Sequence, residues 1–255
     1  MIIKALIPVR SGSMRVKNKN IRPFAGSSLL EIKINQLKRI KEIDGIVVNS
    51  NSEEMLKIAK NMGVETIKRN EYYASDEVCM NKVYKNMDSN INCDLIIFTD
   101  VTNPLIEDGT IINCFNLYKT FNNKYDSLIT VNLIKEFMWF NRKPINYDPD
   151  KKPRSQDLPD IVALNHAISI IPRNLMLKRM DIIGYNPYLY ITDSIESIDI
   201  DNEIDFEFSE FIYKKKLNKN NIHIPEQRSG VGYNTVIIYI IFIYTLYIYN
   251  IRKCL

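Results

Sequence analysis

The apolar positions of this chain change period several times, and the changes mark its elements. Ile2, Ile3, Ala5, Leu6 and Ile7 form a short continuous run, the pattern of a buried strand. Pro8 then stops the ladder. Leu30, Ile34, Leu37 and Ile40 recur at helical spacing, with Lys33, Lys38 and Arg39 between them as the polar positions. Gly45 to Asn49 reads as a second strand. Ser52 follows as a predicted N-cap, with Glu53 and Glu54 in the first turn, where the helix dipole favours acids. That helix is expected to end near Gly63 and to lead into a short strand over Val64 to Ile67. Val78 to Met87 reads as a helix, Cys93 to Thr99 as a strongly buried strand, and Ile111, Cys114, Phe115 and Tyr118 as a helix face. Ser127 to Val131 and Ile168 to Ile171 are further strands, and Ile204, Phe208, Phe211 and Ile212 are expected to form the apolar face of a late helix. This alternation predicts an α/β fold with a doubly wound, mostly parallel sheet.

Two stretches leave the pattern. Residues 132–160 hold the single Trp139 and several prolines, and read as an arm leaving the sheet, with aromatic residues suited to a partner surface. Val236 to Tyr249 is β-branched and aromatic without a charge. It falls short of the roughly 20 residues that span a bilayer. Packing on the body or a partner, a tail without a defined role, and membrane contact, as the lesser alternative, all remain open for it. The expected organisation is therefore a domain over 1–217, including the arm, followed by a C-terminal extension over 218–255.

The chain has 255 residues, 45% hydrophobic and 25% charged, with a net charge of +4. That is an ordinary soluble composition, long enough for one sizeable core, and too mildly basic to indicate nucleic acid. The four cysteines include no CxxC pair, so reduced thiols, no structural zinc and a cytoplasmic setting are expected. No signal peptide is visible before the first strand.

The chemistry concentrates after the first strand. Arg10, Ser11, Gly12, Ser13, Arg15, Lys17 and Lys19 form a loop of small residues among cations. Backbone N–H groups in such a loop can turn toward an anion, and arginine grips phosphate with two hydrogen bonds. The loop lies at the carboxyl end of a strand, where open α/β sheets bind ligands. It is neither GxxxxGK[ST] nor GxGxxG. A second polar run, Asp100 to Leu105 (DVTNPL), follows the strand over Cys93 to Thr99. A third, Ser197 to Asp201 (SIDID), alternates as a strand would, which puts Asp199 and Asp201 on one face. Two carboxylates so placed suit a hard divalent ion that also holds phosphate oxygens, although helix-start capping alone would use them too.

Taken together these stretches resemble the sugar-acid cytidylyltransferases, the family of the CMP-N-acetylneuraminate and CMP-Kdo synthetases. Arg10-x-x-Ser13-x-Arg15 with Lys19-Asn20 is similar to the family's N-terminal signature. The run from Arg69 to Asp76 (RNEYYASD) matches its Arg…Glu…Ala…Asp stretch, and Thr102, Pro104 and Leu105 match its Gln-Pro-Thr-Ser-Pro-Leu. Arg154 to Pro159 (RSQDLP), Asn165-His-Ala-Ile168 and Asp199-Ile-Asp201 complete the order. The departures are Asp100 for Gln, Asn103 for Ser, His166 for Gly, Ser169 for a frequent Tyr, and Met14 where the sialic acid branch carries Lys.

The resemblance implies a Rossmann-like nucleotidyltransferase fold whose arm helps form a homodimer. The implied reaction passes CMP from CTP to a sugar acid, such as an N-acylneuraminate, with release of pyrophosphate. Arg10, Arg15, Lys19 and Asp201 would be catalytic. Arg10, Ser11, Gly12, Ser13, Arg15, Lys19, Asn20 and Arg69 would bind the nucleotide. Asp100, Thr102, Asn103, Arg154 and Asn165 would bind the acceptor, and Asp199 and Asp201 would hold Mg²⁺. The departures keep two alternatives open: a phosphonate or other polymer precursor as acceptor, and a weakened protein that binds nucleotide without turnover.

Overall fold

The computed structural model describes residues 1–221. The chain divides into the units Met1–Lys216 and Leu217–Leu255, and the account below concerns the first. The apolar run Val236 to Tyr249 lies outside the described residues.

Strand β1 (Ile3–Pro8) is followed by a small ribbon, β2 (Pro23–Phe24) and β3 (Ser27–Ser28), then α1 (Leu29–Lys38) and β4 (Gly45–Ser50). Helix α2 (Glu53–Asn61), β5 (Glu65–Lys68), α3 (Met80–Ser89), β6 (Leu95–Phe98) and α4 (Asp108–Tyr118) continue the alternation. The second half holds β7 (Ser127–Ile134), the short pair β8 (Trp139–Phe140) and β9 (Lys143–Pro144), β10 (Ile161–Pro172), α5 (Arg173–Arg179), β11 (Pro187–Ile191) and α6 (Glu203–Asn221). Seven strands form one sheet in the order β11, β7, β10, β6, β1, β4, β5. The pairs β1–β4, β1–β6, β4–β5 and β7–β11 are parallel. Only β10 runs antiparallel to its neighbours β6 and β7.

The winding follows from residue alternation. Ile3, Ala5 and Ile7 of β1 face one core with Leu30, Ile34, Met55, Ile111 and Phe115. Leu6 faces the other, with Val47, Ile96, Phe98, Val83 and Met176. A central parallel strand must be apolar on both faces because helices cover both. From β1 the chain builds outward through β4 and β5, then crosses to β6 on the other side. The order therefore reverses beside the carboxyl ends of β1 and β6, the place where such sheets open a crevice.

Several expectations shift. The strand expected near Ile168 to Ile171 is the end of a twelve-residue strand, β10, whose register breaks between Leu164 and Ser169. His166 lies within that break in the left-handed region, at φ 55°. Strand β11, with its half-exposed PYLYI, carries no strong apolar run and escaped the pattern. In α6 the buried positions are Phe206 and Ser209, whereas Ile204 and Phe211 are exposed. Phe206 turns inward because Phe24 meets it edge-on at 5.3 Å and the Arg22 guanidinium covers its ring at 4.5 Å. The stretch over 135–160 does leave the sheet. Asn141 and Arg142, both at positive φ, make the tight turn between β8 and β9, and Trp139 and Phe140 stay 57% and 67% exposed.

One buried ion pair locks α3 to α5. Asp88 is fully buried, with Arg173 Nε 3.5 Å from its Oδ1. Burial outweighs the arginine and pushes the carboxyl up to about 6. With the folded value above the ordinary one, the ionised acid burdens the fold above pH 6. That burden lifts as pH falls from about 6 toward the ordinary value. Asp88→Asn is expected to stabilise the protein by roughly 1–3 kcal/mol at pH 8. Thermal unfolding at pH 8, 5 and 4 checks this: the gap to the parent should shrink to roughly half by pH 5 and close near pH 4.

Candidate active site

The loop after β1 turns on Gly12, at φ +81°, a conformation that side chains resist. Its neighbours are held from the next strand along. The Asn51 side chain accepts from Ser11 N at 3.0 Å, and its amide donates to Ser11 Oγ and to Glu71 Oε2, both at 2.8 Å. Asn51 was missed in the sequence; its signal was an amide placed directly after the second buried strand. Asn20 is buried and donates to Arg10 O at 3.1 Å, which closes the base of the loop.

Three of the loop cations, Arg10, Arg15 and Lys19, are already partnered. Arg10 donates to Ala74 O and pairs with Asp76, each at 2.8 Å. Arg15 pairs with Asp201 at 2.9 Å. Lys19 donates to Ile200 O, and burial lowers its pKa although Asp199 and Asp201 work against that shift. Met14 is 89% exposed, so no packing duty explains it. Arg69 is buried, donating to Asn49 Oδ1 at 2.6 Å and Asn49 O at 2.9 Å. Burial, with Arg10 nearby, lowers Arg69 to about 10.

The loop after β6 forms the facing wall. Asp100 is half-buried, and burial plus the neighbouring Asp199 push its carboxyl up to about 7, against Lys33, Lys19 and Arg69. Thr102 O accepts from Ile200 N at 2.9 Å, and the Asn103 amide donates to Ile198 O at 3.2 Å. These bonds, rather than a sheet ladder, hold residues 198–201, which form no strand, and that corrects the expected one. Ile200 points into the core, and Asp199 and Asp201 flank it.

Arg10, Arg69, Tyr73, Asp76, Tyr84 and Asp100 share a cavity of about 370 Å³ with the apolar face of α3. Two expected site residues stand apart. Arg154 is exposed on the arm and pairs with Asp157 at 2.7 Å. Asn165 is buried, and both ends of its amide are engaged: Oδ1 accepts from Thr130 Oγ1 at 2.6 Å, and Nδ2 donates to Thr192 Oγ1 at 2.8 Å. It is 4% exposed and pins the irregular turn of β10.

A divalent cation fits this donor set. Asp199 Oδ1 is buried without a hydrogen-bond partner, and burial raises the Asp199 pKa. A cation there would satisfy the orphaned oxygen. Among the described residues no group of three or more His, Cys, Asp or Glu side chains gathers to hold a metal alone. Two carboxylates with ligand phosphates and water completing the shell is the usual Mg²⁺ arrangement.

The mostly parallel seven-stranded sheet, with a basic small-residue loop and an acidic segment beside the point where strand order reverses, is a nucleotidyltransferase fold. Its solved likenesses include a CMP:2-keto-3-deoxy-manno-octonic acid synthetase complexed with CTP, with TM-score 0.63 at 12% identity, covering 85% of this chain and 100% of that one. Another is a cytidylyltransferase from Leptospira borgpetersenii, with TM-score 0.58 at 18% identity, covering 91% of this chain and 100% of that one. A family profile described as cytidylyltransferase matches residues 4–224, and the chain belongs to that family. Among curated relatives, the post-translational flagellin modification protein B of Campylobacter coli is 31% identical, over 84% of this chain and 96% of its own length. The N-acylneuraminate cytidylyltransferase of Escherichia coli O18:K1:H7 is 27% identical, over 89% of this chain and 57% of its own length. The CMP-N,N'-diacetyllegionaminic acid synthase of Campylobacter jejuni is 27% identical, over 84% and 96%.

Among the described residues no helix is long and apolar enough to cross a membrane.

Burial and Asp199 push the Asp100 carboxyl up to about 7 close to the loop cations, so metal-free binding of CTP, used as an anionic probe, is expected to weaken severalfold from pH 6 to pH 8 as negative charge appears there. Calorimetry on Asp100→Asn checks the cause, since the variant should lose most of that dependence.

Proposed function

We propose that the chain transfers CMP from CTP to a nonulosonic acid, of the sialic or legionaminic kind, with release of pyrophosphate. The observation that carries this reading is the pairing of a cationic small-residue loop with the acidic segment of Asp199 and Asp201, where Asp199 Oδ1 is buried without a hydrogen-bond partner. The flagellin-modification and legionaminic acid relatives support the class of acceptor.

In this reading an acceptor hydroxyl attacks the α-phosphorus of CTP. The new O–P bond forms as the bond to pyrophosphate breaks, and the hydroxyl proton leaves to solvent or a nearby base. Such transfer needs positioning and charge neutralisation more than covalent help. Arg10, Arg15 and Lys19, with the backbone of Ser11 to Ser13, receive the phosphates. Asn20 keeps the loop closed, and Arg69 lies beside the nucleoside. Thr102, Asn103 and Asp100 form the acceptor wall. Asp199 and Asp201 would hold Mg²⁺, which supplies charge neutralisation at the phosphates when bound. Arg154, on the exposed arm, would reach an acceptor only in a homodimer built through that arm. A cytoplasmic setting suits the supply of CTP.

Pyrophosphate release from the full chain, with CTP, Mg²⁺ and a panel of nonulosonic acids, Kdo and phosphonates, tests the reaction and the acceptor together. Asp201→Ala is expected to lower turnover by about 100-fold or more at saturating Mg²⁺; an unchanged rate would overturn the assignment.

The exposure of Met14 among the loop cations favours one second reading, nucleotide binding without turnover. If CTP binds but no acceptor yields pyrophosphate, Met14→Lys is expected to restore release should the missing charge be the cause.

A further inference from the structure

Lys33 lies on α1 with none of its surface exposed. Lysine is almost never fully buried unless it is paired, and an apolar residue here would complete the core face of the helix. Its Nζ donates to Gln36 Oε1 at 3.0 Å and to the main-chain oxygen of Asn103 at 3.2 Å. Gln36 in turn donates to Ile106 O at 2.7 Å and to Asp108 Oδ1 at 3.1 Å. Two side chains one turn apart thus grip carbonyls at both ends of residues 103–106. The same loop holds the acidic segment, through the Asn103 amide to Ile198 O and through Ile200 N to Thr102 O. Burial pulls the Lys33 ammonium down to about 7, and Asp100 and Asp108 oppose that fall.

We infer that Lys33 is a positioning residue for nucleotidyl transfer: by holding the Asn103 carbonyl it sets the wall of Asp100, Thr102 and Asn103 against Asp199 and Asp201. It does not touch the reacting atoms. Only the kinetic arm of its test rests on the transfer reading.

The test compares Lys33→Met, unbranched and one atom shorter, without charge or donor, with the parent chain. Amide hydrogen exchange at Ile200 should accelerate about tenfold or more, while Leu6 and Ile7 in β1 keep their protection. The acceptor kcat/KM should fall about tenfold or more, with the KM for CTP within about twofold. Lys33→Gln, which keeps a donor, should recover part of both losses, and it carries the comparison if Lys33→Met does not fold. A purely structural lysine would instead raise exchange across β1 as well and leave the kinetics of folded enzyme unchanged. Either Ile200 exchange within about twofold of the parent, or an unchanged acceptor kcat/KM, overturns the inference. If the parent itself releases no pyrophosphate, the transfer reading falls, and Ile200 exchange alone decides whether Lys33 sets the wall.

Discussion

The candidate site depends on one tie between parts of the chain far apart in sequence, the hydrogen bonds made by Ile200. Its N–H meets Thr102 O at 2.9 Å, and its carbonyl accepts from Lys19. No sheet ladder supports residues 198–201. Without these bonds the two acidic residues would follow a free loop, and Arg15 and Lys19 would lose the acidic segment that faces them. The buried Ile200 side chain adds the apolar anchor that makes the tie rigid. Backbone bonds with an apolar plug are well suited here, because polar side chains near a nucleotide are needed for the ligand.

The winding of the sheet explains why those distant pieces meet. β1 is flanked by β4 and β6, both parallel to it, so the loops after β1 and β6 emerge on the same edge. The loop after β4 emerges there too, and Asn51 uses that position to hold Ser11 and Glu71. The antiparallel β10 also reaches this edge, where its broken register brings His166 near enough to Asp199 to influence its charge. Four connections thus converge while the core beneath them remains regular.

Much of this was legible beforehand, and the parts that were not share a cause. The runs of β1, β4 and β6 are apolar on both faces, so their pattern is strong. Ser52 caps α2 as its type and place predicted, accepting from Met55 N. The basic loop and the acidic pair announced themselves by charge. β11 and the phase of α6 were missed because their inward faces are set by particular tertiary neighbours, such as Phe24 and Arg22 against Phe206. Lys33 and Asn165 misled in opposite directions. A lysine between apolar positions reads as surface yet is buried, and an asparagine in a family motif reads as a ligand contact yet is held at both ends by threonines. Residue type shows what a side chain can do, and only the neighbours brought by the fold decide what it does.

The ion pair between Arg15 and Asp201 carries a consequence for how ligands arrive. Each group is the other's competitor. An anion that draws Arg15 away leaves Asp201 short of positive charge, and a cation that settles on Asp201 releases Arg15. Two ligands of opposite sign therefore help one another, each removing the internal rival of its companion, and the assistance must be equal in both directions. Both side chains are exposed, so the assistance is modest, about 1 kcal/mol or less, and it acts as a bias toward joint occupancy.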